Sequence, residues 1–239
     1  MGRFLSILAL SATFLPIGAA HADMPMPPIQ QVSARMAETR ARHASQIRSY
    51  TVLRRYTLTT GHHSAEMTVR VTYNWPGEKK FEVVSERGSG TIQKRVFHRL
   101  LKAEKDATHH DARITAKNYD FQLEGMDTVD GRRCYVLRLT PKNDGKYLIR
   151  GRAWVDATDF AVVRVEGEPA DTGSFWISST HIVQRYRKVD GFWMPSDSDS
   201  ESEVRLFGRA HLRIESGNYK IVPAQTEDEA DLLSQPPLE

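Results

Sequence analysis

Histidine doublets are the first residues in this chain whose type suits them to chemistry. His62-His63 and His109-His110, with Asp111 adjacent, are metal donors by type. A zinc site needs three or four such donors converging from the fold. Neighbours along a strand point to opposite faces, so neither doublet chelates by itself. Both fall in predicted loops and are read as surface histidines. Glu166 and Glu168 share a strand face across Gly167. That spacing offers two carboxylates for acid–base work, but Arg164 is on the same face, and a charged outer face with local ion pairs is the simpler reading. His181 near an acidic residue is the remaining candidate for a hydrolytic site.

Other reactive patterns are missing from the chain. It holds none of the motifs G-x-S-x-G, H-E-x-x-H, G-x-x-x-x-G-K-[ST] and G-x-G-x-x-G. Its single cysteine, Cys134, can form neither an internal disulfide nor a C-x-x-C site, and it sits in a strand-like run as a packing residue. Ser196 to Glu203 (SDSDSESE) reads as an exposed edge strand or loop with a solvated acidic face. A calcium loop would be the sharper reading, but the EF-hand spacing of Gly and terminal Glu is not there. No catalytic residue, metal site or cofactor is expected, and the chain is read as a non-enzyme.

Composition sets the class. The 239 residues are 40% hydrophobic and 26% charged, with a net charge of +3, as in a folded protein of one or two domains. The near balance of charge gives no general case for nucleic acid. Arg185-Tyr186-Arg187 interleaves basic and aromatic residues, but an alternating strand with one wet face explains it.

Period-two runs dominate the chain. Ser49 to Thr60, Ala65 to Trp75 and Lys79 to Glu86 alternate apolar and polar residues, as half-buried strands do. Further strands run from about Ala112 to Val222. Asp130-Gly131, Asp144-Gly145 and Asp190-Gly191 separate strand-like runs, because Gly tolerates the positive φ of a hairpin turn. Asp156 to Asp159 reads as another turn. Two segments switch to a helical period: Val32 to Ile47, with Ser33 as predicted N-cap, and Thr91 to Ala107.

The ends read as follows. Arg3, an uncharged apolar run from Phe4 to Ala20, and Ala20-His21-Ala22 have the layout of a secretory signal peptide over 1–22. A proline-rich extended leader follows over 23–31, then a single domain over 32–223. An acidic tail over 224–239 is expected to fray. The expected location is the periplasm, with transient membrane contact only.

Large apolar residues fall on nearly every predicted strand. The expected fold class is mainly β (α+β): about 10–11 strands in one strongly curved antiparallel sheet, a half-open β-barrel covered by two helices. An apolar cavity between sheet and helices would suit acyl chains. Trp75, Phe121, Tyr147, Trp154, Phe160, Phe175 and Trp176 are its candidate lining, and Met36, Ile47, Val96 and Leu100 its candidate lid.

Gly151-Arg-Ala-Trp-Val-Asp156 followed by Phe160-Ala-Val-Val-Arg-Val-Glu-Gly167 resembles a segment of the outer-membrane lipoprotein-sorting family of periplasmic carriers. Ser174-Phe-Trp176, Phe192-Trp-Met-Pro195 and Val204-Arg-Leu-Phe-Gly208 extend the similarity toward a subgroup of uncharacterised exported bacterial proteins. The resemblance implies a half-open barrel that carries lipid or the acyl chains of lipoproteins. It transfers no individual site residue to this chain. The expected function is a periplasmic carrier or chaperone for a lipid or acylated lipoprotein. The alternative is an envelope interaction or stress-sensor module that docks a protein partner.

Overall fold

The computed structural model describes residues 26–61, 63–92, 96–106, 113–145, 147–171, 177–204 and 208–224. The segment 1–22 expected to be a signal peptide, the first doublet's His62, all of His109 to Asp111, and most of the acidic tail lie outside them.

Ten strands form one antiparallel, curved, open sheet. In chain order they are β1 (Ile47–Thr60), β2 (His63–Asn74), β3 (Glu78–Gly88), β4 (Tyr119–Val129), β5 (Arg132–Pro141), β6 (Ile149–Asp156), β7 (Val162–Pro169), β8 (Ile177–Val189), β9 (Phe192–Val204) and β10 (Gly208–Pro223). Their order across the sheet is β3-β2-β1-β10-β9-β8-β7-β6-β5-β4. Every neighbour is also a chain neighbour except β1 and β10, which join the two ends of the chain. Helix α1 (Ile29–Gln46) precedes β1, and a short turn α2 (Gly90–Ile92) and helix α3 (His98–Asp106) separate β3 from β4. The expected fold class and the two-helix plan are met.

Two hairpins follow directly from local chemistry. Asp130-Gly131 (φ +49° and +76°) and Asp190-Gly191 (φ +50° and +85°) both adopt the left-handed pair that a type I′ turn demands. Asp144-Gly145 differs. It belongs to a longer connection between β5 and β6, closed by the Leu148 amide donating to the Gly145 carbonyl (2.9 Å).

Helix α1 starts earlier than the period predicts. Pro28 accepts from the amides of Gln31 and Val32, so residues 29–31 of the expected leader are helical. Proline is tolerated at a helix start, where its missing N–H has no partner to lose. Ser33 is therefore inside the first turn and not the cap. Val32, Met36 and Thr39 form the buried stripe, seated on Leu137 and Val155 of the sheet. Ile47 has already left the helix and opens β1. The second helical segment seats Ile92, Phe97, Leu100 and Leu101 on Val52, Tyr56, Met67, Val69 and Val71. A wider turn at Val96-Phe97 buries Phe97 and leaves Val96 exposed.

The Ser/Asp/Glu run is neither edge nor loop. It forms β9, an interior strand between β8 and β10. Its alternation has a structural reason. Ser198 and Ser200 lie on the floor of a cleft. The acidic positions that alternate with them are neutralised across strands: Arg185 spans Asp197 (2.6 Å) and Asp199 (2.9 Å), and Asp199 also takes Arg213 (3.2 Å).

Gly151 of β6 and Gly167 of β7 are register partners. A Cβ added to Gly151 would overlap the Glu166 carbonyl oxygen and sit 2.6 Å from Gly167 Cα. A Cβ on Gly167 would overlap the Arg150 carbonyl and sit 2.8 Å from Gly151 Cα. Such mutual approach of bare backbones marks a tight bend in a sheet.

Candidate functional site

A cavity of about 520 Å³ lies between α1 and the inner face of the sheet. This is within the usual size of a small-ligand site. Met36 and Ala44 of α1 form part of its roof. Ile149 of β6, Val162 and Val165 of β7 and Met194 of β9 form apolar wall from three strands. Tyr50 and Tyr73 stack on one another at 5.0 Å at one side. Burial pushes the Tyr50 hydroxyl up to about 12, so it stays protonated.

Phe160 closes another side. It holds φ +54°, a left-handed backbone that costs a non-glycine residue about 1–2 kcal/mol. The Asp156 to Asp159 turn fixes it there. Asp156, almost wholly buried, accepts from the amides of Thr158 (2.9 Å) and Asp159 (2.7 Å) and from Arg132 Nε (2.5 Å). The Phe160 amide donates to the Asp156 carbonyl (2.9 Å). The same turn tethers the roof, because Thr39 Oγ1 donates to the Asp159 carbonyl (2.8 Å).

Burial alone would raise the Asp156 carboxyl, but Arg132 and the two turn amides together hold it below the usual carboxylate range. For Asp159 burial is likewise outweighed, by Lys188 and the Trp193 indole. A carboxylate with a depressed folded pKa stabilises the protein above its unfolded pKa, and that contribution is lost as pH falls through the folded value. Acid denaturation should therefore begin below about pH 4. Asp156→Asn should lower stability at pH 7 by about 1–3 kcal/mol and flatten the acid limb of the stability–pH curve. Urea unfolding at pH 7, 5 and 3 tests this, and an unchanged acid slope in the variant would refute it.

A second cleft of about 540 Å³ continues from the cavity, sharing Lys79, Arg113, Tyr147, Gln184 and Tyr186 with it. Its floor is polar, with Ser198, Ser200 and Ser216. Arg54 of β1 and Glu104 of α3 face each other across it at 2.7 Å, and the Tyr56 hydroxyl donates to Glu104 (3.2 Å). The cleft under α3 is also largely apolar, with Leu148, Ile182, Leu212 and Ile214 beside the serines and the ion pair.

The candidate residues are distributed as follows. Tyr147 and Phe160 line the cavity, together with Met36 and Ile47. Leu100 lines the adjoining cleft. Phe121 packs in the clusters beneath α1 and beside Tyr119. Trp75 is 56% exposed, in the turn between β2 and β3, and Val96 is also exposed. Trp154 is on the other face of the sheet. Ala153 and Val155 beside it point into the core, so alternation sends Trp154 outward. There its indole donates to Asp127 (2.9 Å) and Arg164 sits over its ring. Phe175 and Trp176 lie outside the described residues. Sequence reasoning missed Tyr50, Tyr73, Tyr186 and the cations of the lining, because residues from distant segments meet there.

On that outer face His181 comes within 3.4 Å of Glu166, which is also bound by Arg164. The shallow depression around them is lined by Arg138, Arg152, Trp154 and the two facing glycines. A histidine–carboxylate pair needs a nucleophile or a positioned substrate to act as a triad does, and this lining brings neither a hydroxyl nor a thiol. Cys134 is fully buried elsewhere, and burial pushes its thiol up, away from the reactive thiolate. Among the described residues no three His, Cys, Asp or Glu side chains converge on a metal-sized site. No helix among them is long and apolar enough to cross a membrane.

A family model described as an uncharacterized protein matches residues 103–226. A search of curated proteins finds no match. Among solved structures the chain is similar to a DUF1329 family protein from Desulfovibrio piger, at 16% identity and TM-score 0.45, covering 82% of this chain and 94% of that one. It is similar to a LolA superfamily protein from Nitrosomonas europaea, at 11% identity and TM-score 0.41, covering 84% and 95%. A third is a domain described as an outer membrane lipoprotein-sorting protein from Vibrio parahaemolyticus, at 9% identity and TM-score 0.43, covering 86% and 99%.

Proposed function

The chain belongs to the family of uncharacterised proteins whose model spans residues 103–226, and from that premise we propose that it is a periplasmic carrier that shields acyl chains of a lipid or lipoprotein in the cavity under α1. The observation that carries this reading is the apolar-walled hollow of about 520 Å³ between one helix and a curved sheet. The role is binding without catalysis. Each methylene removed from water is worth about 0.8 kcal/mol, so two more carbons within the cavity's reach should tighten binding by roughly 15-fold.

Ala44 is an exposed residue of α1 at the cavity lip. Ala44→Trp should occupy the hollow without disturbing the core. The expected result is at least a tenfold loss of affinity for hexadecanoate with an unchanged melting temperature. Equal affinity in the variant would count against the cavity as the acyl site. Release requires α1 to lift, and a cross-link from α1 to the sheet should trap the ligand. Ligand exchange at the normal rate in the cross-linked protein would refute the lid.

A second reading, docking of an envelope protein partner, is favoured by one feature. Val83 and Val84 are both exposed on β3, an edge strand of the sheet. Free edges and exposed apolar pairs are where other chains pair. Native mass spectrometry of the protein taken from its own envelope separates the readings: a stoichiometric lipid supports the carrier, and a stoichiometric protein without lipid supports the dock.

A further inference from the structure

Among the described residues, the charged side chains lining the cavity are all basic. Arg40, Lys79 and Arg113 all reach its wall, with His43 beside them, and among the described lining residues there is no carboxylate. They come from α1, from β3 and from the segment before β4, so the fold and not a local motif assembles them. The adjoining cleft is different. There Arg54 is neutralised by Glu104 at 2.7 Å and Arg185 by Asp197 at 2.6 Å.

Lys79 is the clearest case. It is half-buried where cavity and cleft meet, and it makes no hydrogen bond or salt bridge with any described residue. Burial lowers its pKa, and the nearby Arg54 charge lowers it further against a smaller opposing pull from Glu104. Arg40 is likewise lowered by burial and then by Arg113, although it donates one bond to the Ile114 carbonyl (3.2 Å). Lys79 and Arg40 are thus partly desolvated cations with no carboxylate among the described residues of the cavity lining, and a bound anion would offset that cost.

Resting on the carrier reading, we propose that the cavity takes an anionic amphiphile, its acyl chain under α1 and its carboxylate or phosphate head at Lys79, flanked by Arg40 and Arg113. The apolar wall alone would accept any chain. The cations decide which head group may sit at its mouth, and the serine floor beyond leaves room for a larger polar group. A charge-assisted contact to an ammonium or guanidinium is about twice as strong as a neutral one.

The test is calorimetric titration of the full-length mature protein with three ligands of one chain length: hexadecanoate, hexadecyl phosphate and hexadecanol, each below its aggregation limit. Both anions are expected to bind at least tenfold more tightly than the alcohol. Lys79→Met should bring that ratio down toward one, and Lys79→Glu should invert it. Retained binding of hexadecanol by each variant reports an intact cavity. Tighter binding of the phosphate identifies a phosphorylated lipid head as the source, and tighter binding of the carboxylate a free fatty acid; either supports the proposal. Equal affinity of wild type for acid and alcohol overturns the proposal and leaves the carrier reading standing. Failure of all three ligands to bind overturns the carrier reading, and this proposal with it.

Discussion

Gly151→Val is expected to cost about 3 kcal/mol or more of folding free energy, a large share of a domain's total. Gly151 and Gly167 face each other on two interior strands, and any Cβ at Gly151 overlaps the backbone of Glu166. A side chain can rotate away from a clash, but a carbonyl in a strand ladder cannot. β6 is also paired to β5 and β7 to β8, so neither strand can retreat without opening a second ladder. Overpacking in a core costs about 1–3 kcal/mol where side chains can adjust, and a backbone overlap is expected at or above the top of that range. A domain has only about 5–15 kcal/mol in total. Gly131→Ala is the matched control. Gly131 has φ +76° but open space around it, so its cost is the backbone term alone, about 1 kcal/mol. Urea unfolding of both variants checks the pair. Gly151→Val melting within a few degrees of the parent would mean that the sheet bends for another reason.

The second large effect is at the opposite end of the hollow. Glu104 of α3 is the partner of Arg54, whose side chain is only 12% exposed, and of the fully buried Tyr56. Burial alone would make the Arg54 guanidinium easier to deprotonate, but Glu104 and Tyr56 reverse this and hold it charged. Glu104→Ala removes the acceptor and strands a buried cation. The pair lines the cleft and Glu104 is 26% exposed, so the expected loss is about 1–3 kcal/mol, below that of a fully buried pair. The double variant Arg54→Met/Glu104→Leu should recover most of that loss, because no charge is then left unpaired. A double-mutant cycle on urea midpoints measures it. A single-variant loss below 1 kcal/mol would show that the pair is screened by water and that α3 is held by Phe97, Leu100 and Leu101 alone.

Most of the fold was legible because its signals are local. Strands β1 to β3 lie within two residues of their period-two runs, and Asp130-Gly131 and Asp190-Gly191 turn as their chemistry requires. Non-local signals were not legible. The composition of the acidic run reads as an edge strand or loop with a solvated face, and nothing near it in sequence neutralises it. Arg185 and Arg213, on the two flanking strands, do so in space. Trp154 was chosen by residue type, when its position between Ala153 and Val155 already placed it on the outer face. Val96 followed the helical period, and a wider turn rotated it out. The cations of the cavity had no signature at all, since Arg40, Lys79 and Arg113 are brought together only when the sheet curves.

The pairing of β1 with β10 sets the order of events in time. Thr60 is matched to Ala210 and Tyr50 to Ile221, across everything synthesised between them. Until the last strand exists, β1 to β3 offer an unmatched ribbon, and the two halves of the protein share no backbone ladder. Contacts so distant along the chain make for slow folding. The open ribbon of β1 to β3 is locked into the rest of the sheet only once β10 has been made.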